Sequence, residues 1–317
     1  MTNGDRFDRD RIERARRRRS RSRLHKAVAA LCVAAVVSVG AAWGLGAFAP
    51  QPAQDEQAGD APSQDAGAQG AQGSGDAQAS GDQANGEDDR AADFAVDPAK
   101  QTEWRTKTDG TKTIWLTFDD GPSANTEKVL DILDRYGVKA TFFVTNEEPQ
   151  YAYMIKEAYD RGNTIGLHSY THEYSIYASE DSFFNDLDQI GAVVKDQIGY
   201  VPCFIRFPGG ASNTVSAKYC KGIMTKLTQD VQARGYQYFD WNISCGDGAA
   251  GHTADELAAY ATDDADYSNV MLLMHDSAGH EATVDALPAI IEHYQQEGYT
   301  FKAIDRTALA SHQKVNN

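Results

Sequence analysis

From Thr111 onward the sequence alternates between two textures, and that alternation admits few architectures. Short β-branched and aromatic runs (KTIWLTF, KATFFVT, NTIGLHS, CFIRFP, YQYFDWN, VMLLMHD and YTFKAID) are separated by helically patterned stretches. The helices are predicted at about 123–136, 149–161, 179–198, 216–234, 253–264 and 282–297. In the first, Ser123 is the expected N-cap, Glu127 lies in the early turns and Gly137 stops the helix. Strands that are apolar almost throughout, alternating with helices, predict a parallel sheet covered by helices on its outside. Seven such runs suit a distorted (β/α)7 barrel, one unit short of eight, or an open doubly wound α/β sheet. In both, function gathers at the C-terminal ends of the strands.

Upstream the chain is of another kind. Residues 1–26 hold ten arginines and one lysine against four acids, a formal +7, whereas the remainder carries −23 of the overall −16. A basic head on an acidic body suggests that the two ends occupy different places. Between Lys26 and Pro50 lie 23 uncharged residues, AVAALCVAAVVSVGAAWGLGAFA, enough to span a bilayer as a helix. The Arg-rich flank is expected to stay cytoplasmic and the rest to be exported. Ala47-Phe48-Ala49 has the form of a signal-peptide cleavage site, which would make the protein secreted. The apolar run is long for a signal peptide, so an uncleaved membrane anchor at 27–49 is the preferred expectation. Next to such a run, the arginines are read as a topogenic flank and not as a nucleic-acid-binding patch. Residues 50–100 are mostly Gln, Ala, Gly, Asp and Ser, a composition that cannot bury enough surface to fold. As a flexible tether, roughly 50 residues reach about 40 Å. The catalytic domain is expected at 101–317.

The strand ends carry the chemistry. TFDDGP ends the first with Asp119 and Asp120, HSYTH the third with His168 and His172, and RFPGG the fourth with Arg206. DWN gives Asp240 at the fifth, and LMHD gives His275 at the sixth. Two histidines four apart plus one carboxylate make a His₂Asp set of the type that holds catalytic zinc with positions left open. Ser169 follows the first histidine where a zincin would have Glu, and adjacent aspartates lack the spacing of an aspartyl-phosphate phosphatase. Two carboxylates in one cavity both stay ionised only if each has its own counter-charge. Asp120 is therefore assigned with His168 and His172 to a divalent ion, and Asp119 to the role of general base for an attacking water that the ion has acidified. The planar fork of Arg206 suits holding Asp119. His275 is the expected general acid, with Asp240 raising its pKa. The backbone N–H of Gly209 is a candidate oxyanion donor, and Trp241 and Leu273 are candidate pocket walls.

These five motifs, in this order, resemble the polysaccharide deacetylase family (carbohydrate esterase family 4, the NodB homology domain), over roughly residues 110–310. The resemblance implies a distorted (β/α)7 barrel and a metal-dependent amidase that removes acetyl groups from N-acetylglucosamine units. It places the base at Asp119, the metal ligands at Asp120, His168 and His172, the base-orienting arginine at Arg206, the histidine-tuning acid at Asp240, the acid at His275 and the acetyl-methyl pocket at Trp241 and Leu273. Zinc is the expected ion, with cobalt or another divalent ion able to share such a site. Many relatives carry an aromatic residue after the motif's proline, where this chain has Gly209, so one wall of the groove is expected to be missing. The expected substrate is a cell-surface glycan, with peptidoglycan preferred because anchor and tether hold the domain beside the wall. Exported poly-N-acetylglucosamine, chitooligosaccharides and O-acetyl esters are the alternatives, and an inactive glycan-binding barrel is the reading from another class. Cys203, Cys220 and Cys245 allow one disulfide in an oxidising exterior, though small, partly buried thiols are the simpler reading.

Overall fold

Strand β1 (Thr113–Asp119) is buried along its whole length, and the other elements are arranged about it. The computed structural model describes residues 90–100, 104–263 and 267–317. The basic head, the membrane helix expected at 27–49 and most of the expected tether lie outside the described residues. Among the described residues, no helix is long and apolar enough to cross a membrane.

The further strands are β2 (Thr141–Val144), β3 (Thr164–Leu167), β4 (Phe204–Ile205), β5 (Gln237–Tyr238), β6 (Ile243–Ser244), β7 (Asn269–His275) and β8 (Thr300–Phe301). All pairings are parallel, in the order β5-β4-β3-β2-β1-β7-β6. β7 runs along one edge of β1 for seven residues. β2 takes the upper part of the other edge at Thr117–Asp119, and β8 the lower part at Thr113–Ile114. The seven strand runs read from sequence all appear; an eighth, β6, is added. The sheet is curled and open, not a closed barrel, since β5 and β6 end the path without pairing with each other.

The curl follows from chain length. Laid flat, seven strands about 4.8 Å apart would separate the outermost two by roughly 29 Å. Yet Tyr238 of β5 and Ile243 of β6 are five residues apart, which span at most about 18 Å. The sheet must therefore bend until its two edges approach.

Alternation along the strands sorts side chains into two layers. Ile114, Leu116 and Phe118 of β1 and Val270, Leu272 and Met274 of β7 face outward into a large apolar layer. The helices on that side are α1 (Thr126–Tyr136), α2 (Tyr153–Asp160), α3 (Glu180–Ile198), α4 (Ile223–Ala233), α5 (Ala254–Ala261) and α6 (Glu281–Gln296). Trp115 and Met271 face inward with Phe143, Phe204 and Phe239, filling the base of the curled sheet. The next inward positions towards the strands' C-terminal ends are polar, and they form the site.

Two expectations need correction. Asn125, not Ser123, is the N-cap of α1; the Ser123 hydroxyl lies in the turn before it, donating to the Asp276 carbonyl at 2.6 Å and accepting from the Asn125 amide at 3.0 Å. The folded body also begins before residue 101. Arg90 donates to the carbonyls of Tyr159 and Asn163 at 3.0 and 2.7 Å, and the Phe94 ring meets Phe204 edge-on at 5.1 Å. The amide of Val96 donates to Val201 O, and that of Cys203 to Phe94 O. The sparse apolar residues Phe94 and Val96 were hidden by the polar composition around them. Cys203, Cys220 and Cys245 are all free thiols, and burial pushes Cys203 up to about 11. A protein that starts at residue 101 should be less stable than one that starts at residue 90 by about 3 kcal/mol, the order expected for uncovering Phe204 and losing Phe94. Equal urea midpoints for the two would refute this role of the segment.

Candidate active site

Asp119 and His275 are register partners on β1 and β7, so a parallel ladder sets both on the inner face at the same height. One residue later, Asp120 adopts a left-handed backbone, φ 69°, which is uncommon for a residue with a side chain. That turn breaks the two-face alternation and swings the second carboxylate into the same cavity. Its neighbour Gly121 is confined: a Cβ there would lie 2.3 Å from Oδ1 of Asp276.

Asp120, His168 and His172 converge. Nε2 of His168 and Nε2 of His172 each lie 3.2 Å from Oδ1 of Asp120. That oxygen is buried, yet neither ring meets it in a hydrogen-bonding direction, so three ligand atoms surround a common point. Nδ1 of His168 is 2.7 Å from the carbonyl oxygen of Arg206. A carbonyl only accepts, so Nδ1 carries a proton and the neutral ring turns the Nε2 lone pair to the centre. Burial would raise Asp120, but His168 outweighs it and holds the carboxyl well below the usual range. Burial pulls the His168 pKa down, but Asp119 and Asp120 outweigh it and hold it above its ordinary value, an attraction for positive charge at Nε2 that a bound cation would satisfy in a proton's place. Two imidazoles, one carboxylate, and an orphaned buried oxygen between them fit a divalent cation.

The loop between the two histidines has a support that sequence reasoning missed. Asp186, buried on α3, accepts from Ser169 Oγ at 2.7 Å, Tyr170 N at 2.9 Å, Thr171 N at 3.0 Å and Thr171 Oγ1 at 2.8 Å. Ser169 Oγ in turn accepts from the amide of His172 at 2.9 Å, a residue also held left-handed at φ 54°. An acid buried within an amphipathic helix is the signal that could have revealed it.

Arg206 is where it was expected. Its Nη1 donates to Asp119 Oδ1 at 2.8 Å and Thr117 Oγ1 at 2.7 Å, and its Nε to the Phe239 carbonyl at 2.8 Å. Oδ2 of Asp119 lies 4.0 Å from His168 Nε2, on the side facing the ligands.

Asp240 is not the partner of His275. It lies just past β5, in the short crossing to β6, where its carboxylate accepts from the amides of Ala211 and Gln313, each at 2.8 Å. Burial raises it to about 6. β5 and β6 are consecutive but sit at opposite ends of the strand order, and β6 is the neighbour of β7. The acid that follows β6, Asp247, therefore meets His275. Its Oδ1 is 2.8 Å from Nδ1 of the ring, and its Oδ2 accepts from the His275 amide and Thr283 Oγ1, both at 2.8 Å. Burial pulls the His275 ring down, but Asp247 outweighs it and the pKa is pushed up to about 10. Nε2 of the ring faces Asp120 Oδ2 at 3.8 Å.

Leu273 is on the inner face two residues before His275, 7% exposed. The Trp241 ring packs over Gly210 and lies 5.7 Å from the Arg206 guanidinium, on the opposite side. At Gly209, φ is 74° and a Cβ would lie 2.4 Å from Oη of Tyr174. The space at that position is thus taken by the tyrosine of the HSYTHEY segment.

Known proteins are similar to this chain in sequence and fold. The polysaccharide deacetylase family profile matches residues 106–225. A putative polysaccharide deacetylase of Bacillus subtilis, YheN, is 30% identical over 64% of this chain and 71% of its own length. The chain belongs to the polysaccharide deacetylase family. It is thereby a hydrolase of carbon–nitrogen bonds in N-acetyl groups. The Listeria monocytogenes peptidoglycan-N-acetylglucosamine deacetylase PgdA is 33% identical over 61% of this chain, a region spanning 38% of PgdA. Among solved structures, the catalytic domain of a peptidoglycan N-acetylglucosamine deacetylase from Eubacterium rectale is 45% identical, with a TM-score of 0.65 over 70% of this chain and 100% of that one.

Two outcomes follow from the supports. Asp186→Ala should weaken zinc binding by roughly 10–100-fold, read by competition with a chelator, and unchanged affinity would show the loop to be self-supporting. Asp247→Asn should lower the pKa of His275, so the ring loses its proton at lower pH. The alkaline limb of the activity profile then shifts to lower pH, while the same substitution at Asp240 leaves that limb in place.

Proposed function

We propose that the chain is a membrane-anchored, extracytoplasmic N-deacetylase, dependent on a divalent metal, that acts on N-acetylglucosamine units of a cell-surface glycan. Zinc is the preferred ion and peptidoglycan the preferred substrate. One observation carries the reading: Asp119 with Arg206, Asp120 with His168 and His172, and His275 with Asp247 all face one point, linked by approaches of 4.0 Å or less. The 45% identity to a peptidoglycan deacetylase catalytic domain supports the substrate. The uncharged run at 27–49 behind an Arg-rich head supports the anchor, with its N-terminus in the cytoplasm.

A divalent cation bound by Asp120, His168 and His172 supplies positive charge that acidifies water and polarises the acetyl oxygen. Asp119 takes the proton of the attacking water on Oδ2, while Arg206 keeps Oδ1 occupied. Gly209 offers its backbone N–H to the oxyanion that forms. His275, held charged and oriented through Nδ1 by Asp247, delivers a proton from Nε2 to the leaving amine. Leu273 on one side and Trp241 on the other enclose the acetyl methyl.

The test is acetate release by the purified protein from muropeptides, poly-N-acetylglucosamine, chitooligosaccharides and an O-acetyl ester, with mass spectrometry of the products. Loss of 42 mass units per N-acetylglucosamine from muropeptides is the expected result. Asp119→Asn should retain zinc and lose about 10³-fold or more in turnover. Unchanged acetyl content in every substrate would refute the enzyme.

A further inference from the structure

Beyond the triad on β1 and β3, a second set of metal-binding side chains lies at the other end of the same cavity. Asp247, His275 and His280 each place one ligand atom within 4.8 Å of the others. We propose that these three residues form a second divalent-cation site, and that a cation there switches off the proton donor. The loss of activity rests on the proposed function above; the site itself does not.

Asp247 is preorganised, its two oxygens held by the His275 ring, the His275 amide and Thr283 Oγ1. The His280 ring stacks on that of His275 with centroids 5.2 Å apart and planes 28° apart. Its Nδ1 lies 3.0 Å from Ser277 Oγ. A proton on Nδ1 given to that hydroxyl leaves Nε2 with a free lone pair. Two imidazoles and a carboxylate are a zinc donor set, the same three groups as in the first site. Tetrahedral zinc with ligand bonds of about 2.0–2.1 Å needs ligand atoms about 3.4 Å apart. Occupancy would part Nδ1 of His275 and Oδ1 of Asp247, now 2.8 Å apart, and would bring in the half-buried His280 ring, one residue before α6, by a turn about its Cα–Cβ bond.

The two sites differ in what a cation must displace. In the first, the buried oxygen of Asp120 has no hydrogen bond to give up. In the second, a proton lies between Nδ1 of His275 and Oδ1 of Asp247, 2.8 Å apart. Binding breaks the Nδ1–H bond, releases the proton to water, and uses the lone pair left behind to bind the cation; nothing is oxidised or reduced. The first site therefore fills first. The second fills at higher cation concentration, and the Nε2–H left on His275 then belongs to a neutral imidazole, a far weaker acid for the leaving amine than the imidazolium it replaces. Activity should rise with the first equivalent of zinc and fall with the next.

Titration of the metal-stripped full chain with Zn²⁺ in a calorimeter tests this. Wild type should show two binding events, His172→Ala only the weaker and His280→Ala only the tighter, with His280→Gln as a check that keeps the side chain's size. Turnover should fall at least fivefold between one and ten equivalents in wild type, and stay within about twofold in both His280 variants. A single event in wild type, or an undiminished second event or inhibition in the His280 variants, overturns the proposal. Absence of turnover at every zinc level would instead refute the deacetylase reading, and the two-event titration would still decide the site.

Discussion

Arg206 holds both the Asp119 carboxylate and one side of the candidate metal site, one through each end of the residue. Its guanidinium, 1% exposed with the rest of the residue, donates to Asp119, and its carbonyl accepts from Nδ1 of His168. The charge of the base and the tautomer of a ligand are thereby fixed at one position. A buried carboxylate that loses its partner costs several kcal/mol, so the arrangement of Asp119 beside Asp120 depends on Arg206 being in place. Lysine would not serve, because a point charge cannot reach Asp119, Thr117 and the Phe239 carbonyl at once. The two-residue strand β4 is enough to place it, since the amide of Arg206 is itself tied to Leu167 of β3.

Two of the three ligands, Asp120 and His172, sit in left-handed backbone, a conformation that side chains other than glycine adopt at a cost. The surrounding structure imposes it. Asp276 fills the space beside Gly121, its amide bonds to the Asp119 carbonyl, and Asp186 gathers the loop that ends in His172. Buried acids outside the catalytic set thus act as braces: Asp186 is met by four donors, while Asp276 is met at one oxygen by Thr126 Oγ1 and burial pushes it up to about 7.

How much of this could be read in the sequence depends on how local each signal was. The strand-end motifs carried Asp119, Asp120, His168, His172, Arg206 and His275 to the right place, because a strand's C-terminal end is fixed by the apolar run before it. Asp240 was misread for the opposite reason. It follows a visible strand, but β6 is two residues long and left no pattern, so the crossing from one sheet edge to the other was invisible and Asp247 was passed over. The acid nearest in the motif was at the wrong end of the strand order. Asp186 lies on a helix, far from any strand end, and Tyr174 replaces a missing ring from a different segment; neither contact is encoded by spacing. The start of the folded body was blurred because Phe94 and Val96 are two apolar residues in a polar stretch.

The two functional halves of the cavity are secured by different means. Asp119 and His275 are register partners on β1 and β7, joined over seven residues whose outward side chains are almost fully buried. A slip of one residue would turn His275 to the helix side, into the apolar layer beside Phe118, and turn Leu272 and Met274 inward, so the register is strongly enforced. The imidazoles of His168 and His172 instead hang from the short strand β3 and the loop after it, held by the Arg206 carbonyl and by Asp186. Local opening is cheaper where few backbone ladder bonds oppose it. The distance between base and acid is therefore the rigid dimension of the site, and the imidazoles of His168 and His172 are the part that can adjust as a cation and substrate arrive.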